Sequence, residues 1–180
     1  MKRWRALLPA LLLGVLAMPG PAPAAAESSV PSVKAAFVFN FIKLVSWPEA
    51  RLPAGSGPVQ VCVIKGDEME SALRLALAGK LAGTHPIQVS ALSGDENLAG
   101  CHVLYLGSRS SARNAALMTK VSGKGVLLVD EGPRFSWPDG MIRLFQEQNR
   151  MRFELNLESF ERSGLKVDPR LIRLARIASR

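Results

Sequence analysis

The chain has 180 residues, a formal net charge of +8 and 48% hydrophobic side chains. That is room for one domain with a sizeable core, and no internal repeat, linker or second domain is visible. Two histidines and two cysteines, Cys62 and Cys101, offer no clustered set of zinc ligands. The basic balance fits an acidic partner, anionic lipid head groups or a solvated surface; on charge alone it also fits nucleic acid, which an exported protein rarely meets.

Residues 1–26 read as a signal peptide. Lys2, Arg3 and Arg5 form a positive start, Ala6 to Ala17 an apolar run, and Ala24-Ala25-Ala26 a small-residue cleavage site. The apolar run is about 12 residues, short of the roughly 20 that span a bilayer. Residues 27–180 are then one domain. Its formal charge falls from +8 to +5, because three basic residues and no acid precede Glu27. In an oxidising compartment an even cysteine count suggests a disulfide; two buried free thiols are the other reading. A bridge would close a loop of about 40 residues, worth on the order of 4 kcal/mol in the chain-entropy picture.

Pro31 begins a helix that runs to about Val45 and is apolar almost all round, so it is buried or lies under a partner. Trp47-Pro48 ends it, with Trp47 a hydrophobic plug. Val59 to Ile64 is a β-rich run, and Gly66-Asp67 leads into a helix to about Ala78. Ile87 to Leu92, His102 to Leu106 and Gly125 to Val129 are further strands, with a helix over Ser108 to Val121 between the last two. Asp130 to Gly140 is a long loop. Met141 to Phe145 is a fifth strand, and Gln146 to Arg150 turns into a sixth.

From Met151 the pattern alternates strictly: Met151, Phe153, Leu155 and Leu157 one way, Arg152, Glu154 and Asn156 the other. A short helix stopped by Gly164 should follow. Asp168-Pro169 then opens a second helix with an apolar stripe of Leu171, Leu174, Ala175 and Ala178, and with Arg170, Arg173, Arg176 and Arg180 turned outward. Strands alternating with helices imply a mostly parallel sheet with helices on both faces, a three-layer α/β sandwich ending in an antiparallel hairpin.

Catalytic signals are weak. His85 precedes Pro86 in a turn, His102 starts an apolar strand, and no GxSxG elbow is present. The acids come as adjacent loop pairs. No metal or cofactor site is expected. The Asp130–Gly140 loop, DEGPRFSWPDG, holds Arg134, Phe135 and Trp137 beyond the carboxyl end of a parallel strand, where open sheets bind ligands. Aromatic rings beside arginine are the composition of binding hot spots. Arg143, Arg150, Arg152, Arg173 and Arg176 are candidate steering charges toward an acidic partner.

The chain resembles the YfiR-type periplasmic proteins. The likeness rests on FIKLVSWP, VCVIKGD, GCHVLYLG, VLLVDE with Phe135 and GMI beyond it, and NRMRFELNLESFERSGLKVDPRLIRLARI. It implies a non-catalytic, cofactor-free exported regulator that binds the periplasmic domain of an inner-membrane diguanylate cyclase and represses it. It also implies that Cys62 pairs with Cys101. A second cysteine pair that some members carry near the last hairpin is absent. Some relatives are sensor modules of signalling kinases, so a small-ligand sensor is the competing expectation. A second copy of the chain is a further candidate partner.

Overall fold

The computed structural model describes residues 29–93, 98–107, 112–131, 134–135 and 137–178. The expected signal peptide, residues 1–26, lies outside the described residues.

Ser29 caps the first helix, α1 (Val30–Leu44), and Pro31 sits in its first turn, where a missing N–H is harmless. α1 passes into a two-residue strand, β1 (Val45–Ser46). Then come β2 (Val59–Ile64), α2 (Glu68–Leu77), β3 (Leu81–Ala82), β4 (His85–Leu92) and β5 (Val103–Leu106). α3 (Ala112–Val121), β6 (Leu127–Glu131), β7 (Ile142–Glu147), β8 (Arg150–Leu155) and α4 (Leu157–Arg162) follow. The chain closes with β9 (Lys166–Val167), α5 (Pro169–Leu174) and β10 (Arg176–Ile177).

Eight strands form one sheet in the order β10-β8-β7-β6-β5-β2-β4-β3. β4, β2, β5, β6 and β7 run parallel, and β8 returns antiparallel to β7. From β2 the chain crosses one way to β4 and then back over β2 toward β5 and β6. Right-handed crossovers in opposite directions set α2 on one face and α3 on the other. α1 packs along α2. Its Phe37 and Phe41 meet Phe153 of β8, with ring centroids 5.9 and 5.1 Å apart. The expected three-layer sandwich with its terminal hairpin is the observed architecture.

Cys62 and Cys101 form a disulfide, with Cα atoms 5.9 Å apart and both residues buried. Trp47 packs against the core, and its indole N–H donates to the His102 carbonyl at 3.3 Å.

Two expectations need correction. The polar turn expected over Gln146–Arg150 is shorter. The strands run on to Glu147 and from Arg150, and only Gln148 and Asn149 turn, at φ 48° and 60°. Two successive left-handed residues match the twist of the flanking strands. The second terminal helix is also shorter than its stripe suggested. It stops at Leu174, which is 72% exposed, and Ala175 is extended. Arg176 and Ile177 pair in parallel with Glu154 and Leu155 of β8 instead. An available strand edge outweighs the helix propensity of six residues. Arg176 is therefore a strand residue, outside any helical arginine face.

Candidate functional site

A row of charged side chains crosses the hairpin end of the sheet. Asp130 pairs in register with Arg143, Arg143 with Glu154, and Glu154 with Arg176. Register partners share a face, so these four residues stand in one row across β6, β7, β8 and β10 with alternating sign. The Arg143 Nε donates to Glu154 Oε2 at 2.8 Å, and Nη2 donates to the same oxygen. The Arg143 side chain is buried and that of Glu154 mostly so.

Two residues along β7 on the same face stands Phe145. The Arg143 guanidinium lies 4.2 Å from its ring centroid and that of Arg176 5.1 Å. Arg176 also donates to Glu147 at 2.9 Å, a bond that holds the Glu147 carboxyl below its usual range. Phe135 completes the group, with Arg143 5.9 Å from its ring. The result is an aromatic and guanidinium cluster in which β7 and β10 set Arg143, Phe145 and Arg176 and the preceding loop brings in Phe135.

The loop that carries Phe135 and Trp137 is tied to α4. The Pro138 carbonyl accepts from Asn156 Nδ2, Ser159 Oγ and Arg162 Nη2 at 3.3, 3.2 and 3.3 Å. Asp139 accepts from Arg162 at 3.0 Å and from Ser122 Oγ at 2.6 Å. Trp137 is half-buried against the core. With Phe135, Asn156, Arg162 and Ile177 it lines an open groove of about 720 Å³.

A second polar group sits where β6 ends and the hairpin runs on. Glu131 accepts from Lys34 of α1 at 2.5 Å and from the Tyr105 hydroxyl of β5. Burial raises the Glu131 carboxyl above its usual range, although Lys34 pulls the other way. A groove of about 540 Å³ runs from this pair along Phe145 to Arg176. The topological switch of the sheet lies elsewhere, between β2 and β5. There Asp67 caps α2 by accepting from the Met69 N–H at 2.9 Å, and Gly107 lies against its carboxylate.

His102 is a structural histidine. Its Nδ1 accepts from the Gln60 N–H at 3.1 Å, which leaves the Nε2 hydrogen for the Arg51 carbonyl at 2.9 Å. Burial lowers its pKa and keeps the ring neutral. Among the described residues no three His, Cys, Asp or Glu side chains cluster as metal ligands, and no helix is long and apolar enough to cross a membrane.

The YfiR/HmsC-like family model matches residues 31–176, nearly the whole described chain. The chain belongs to this family. The match spans α1 through Arg176, so the hairpin cluster and the Cys62–Cys101 bridge both lie inside the YfiR/HmsC-like region.

Of the residues singled out in this family member's sequence, Arg143 and Arg176 both lie over Phe145, and Phe135 lies against Arg143. Arg134 is exposed in the same loop as Phe135. Arg150 and Arg152 are exposed on β8, and Arg173 is exposed on α5. Arg143 itself is only 6% exposed, so it can reach a partner only through the rings it carries. Sequence reasoning missed Phe145 and Glu154. The signal was present in Arg143, Phe145 and Glu147, which alternate at period two and would have shared a face with Arg152 and Glu154 once the turn was shortened to two residues.

Proposed function

We propose that this protein is an exported periplasmic regulator that binds and represses a membrane-bound diguanylate cyclase, lowering cyclic-di-GMP signalling and biofilm formation. The observation that carries this reading is the YfiR/HmsC-like match over residues 31–176. The disulfide supports an oxidising compartment, and the reading includes removal of residues 1–26 to leave 27–180 as one domain. In this reading Phe135 and Trp137 present the contact surface, and Arg134, Arg150, Arg152, Arg173 and Arg176 steer an acidic partner toward it. Arg143 holds Phe135 and Phe145 in place.

Repression requires tighter binding to one state of the target. A shift from almost all active to almost all inactive needs about 5.5 kcal/mol of differential affinity, which calls for a packed aromatic patch more than scattered charges. The test is to delete the gene and measure cyclic-di-GMP. A rise that the wild-type gene reverses, and the Phe135→Ala/Trp137→Ala form does not, is expected. Unchanged cyclic-di-GMP on deletion would overturn the reading.

The groove from Lys34 and Glu131 to Arg176 favours a second reading, a small-ligand sensor that feeds a membrane kinase or cyclase. Heat released when the isolated protein meets a periplasmic metabolite would support it.

A further inference from the structure

β8 presents an uncovered strand edge. The Asn156 N–H donates to the Met141 carbonyl at 3.0 Å, so Asn156 faces β7. The Leu155 carbonyl faces the other way and accepts from the Ala178 N–H at 2.9 Å. Alternation along an antiparallel strand turns the backbone groups of Phe153 and Met151 outward as well. β10 pairs with β8 only over Glu154 and Leu155, because the chain before Arg176 leaves the sheet through Ala175 into α5; that pairing takes the Phe153 carbonyl and leaves the Phe153 N–H and both Met151 groups open. Beside the uncovered stretch runs a groove of about 380 Å³ lined by Phe145, Arg152, Phe153, Leu174, Ala175 and Arg176.

The chemistry of the edge narrows what can occupy it. Arg150, Arg152 and Arg173 are exposed and form no ion pair among the described residues. The acid in the groove, Glu147, is already held by Arg176. Two copies placed edge to edge would oppose arginine to arginine, and like charges facing each other across strands are destabilising. A segment with carboxylates on its charged face and small apolar residues on the other would match both the guanidinium groups and the exposed Leu174.

We propose that the Met151–Phe153 edge of β8 is a docking site for an extended acidic segment of the partner, which adds to the sheet as a strand in line with β10. This rests on the regulatory reading above and names how the partner is held. Main-chain bonds to Met151 and to the Phe153 N–H supply the grip, and Arg150 and Arg152 select the charge.

The test is amide hydrogen exchange and calorimetry on the processed protein, alone and with the periplasmic domain of the cyclase it represses. On complex formation the Met151 and Phe153 amides should become protected. Met151→Pro removes only an outward N–H, a position where an edge strand tolerates proline, and should weaken binding about tenfold or more. Met151→Ala should bind as wild type. Because Met151→Pro can disturb folding, Arg150→Glu/Arg152→Glu is the second variant; it should also bind at least about tenfold more weakly, with a flatter salt dependence. Wild-type affinity in both variants, or a complex without protection at Met151 and Phe153, would overturn edge docking and leave the regulatory reading standing. No complex with wild type would overturn both. Protection that grows with concentration in the protein alone would identify a second copy as the occupant and overturn the acidic segment.

Discussion

Arg143 and Glu154 face each other across the β7–β8 hairpin with their side chains only 7% and 14% exposed. Removing one partner of a buried pair leaves the other charge without compensation. Glu154→Leu should therefore destabilise the protein by about 3 kcal/mol. Arg143→Met combined with Glu154→Leu should lose less than the two single changes together, since neither member of the pair is left facing an absent partner. Urea unfolding of the three variants measures both effects.

Gly140 is the position that lets Phe135 sit where it does. A Cβ there would come 2.8 Å from the Phe135 ring and 3.2 Å from the Trp137 carbonyl. Gly140→Ala should push the ring off the Arg143 guanidinium and weaken partner binding about tenfold, a hot-spot effect near 1.4 kcal/mol. No charge changes, so the salt dependence of binding should stay as in wild type. Titration calorimetry at two ionic strengths separates this from a steering defect.

The Cys62–Cys101 bridge should account for about 4 kcal/mol of stability through the loop it closes. Cys62→Ala/Cys101→Ala is expected to lower the urea midpoint accordingly. Both cysteines are buried, so a thiol reductant should cleave the native bridge slowly and the urea-unfolded one fast. Thiol titration over time checks the ordering.

Stability should fall with acid in two windows. His102 binds its proton less readily folded than unfolded, because burial lowers its pKa. The unfolded chain takes up more protons, so stability is full above pH 6.5 and declines as pH drops below it. Replacing His102 with Gln should flatten this window. A second decline should come between pH 3.8 and about 2, where Asp168 loses the charge that its Arg170 contacts stabilise. Glu131 acts with the opposite sign: burial raises its carboxyl, and its contribution is lost as pH rises above 4.5. Denaturation midpoints from pH 2 to 8 for wild type and the His102 and Glu131 variants test all three signs.

Asp67 and Gly107 should be coupled. Losing the Asp67 cap of α2 costs about 1 kcal/mol. Gly107→Ala would set its Cβ against the same carboxylate. Once Asp67 is Ala the clash is gone, so the double variant should be more stable than the sum of the two single losses. A double-mutant cycle by urea unfolding measures the difference.

The layers of this fold were readable because each rests on a local period. Gly125–Val129 is a continuous apolar run, and Val59–Ile64 is broken only by Gln60, as suits a sheet covered on both faces. Ser29, Asp67, Asn156 and Asp168 each cap a helix. Pairing that depends on distant partners was not readable. Arg176 follows the helical stretch Pro169–Leu174 in sequence and becomes a strand because β8 offers an edge. Leu81–Ala82 is too short to show a period before β4 pairs with it. The Asp130–Gly140 loop shows the same division: its aromatic and arginine composition was visible, while the Pro138 carbonyl that ties it to α4 depends on residues far along the chain.

β1 and β9 form a separate two-stranded ribbon, Val45 against Val167 and Ser46 against Lys166, and the Leu44 carbonyl accepts from the Asp168 N–H at 2.8 Å. The end of α1 is thus latched by residues far along the chain. A growing polypeptide holds Phe37 and Phe41 without the clasp, and without the Phe153 they pack on, until the hairpin and β9 have been made. Contacts between segments so distant carry a large loop-closure cost, which places the locking of α1 late in folding.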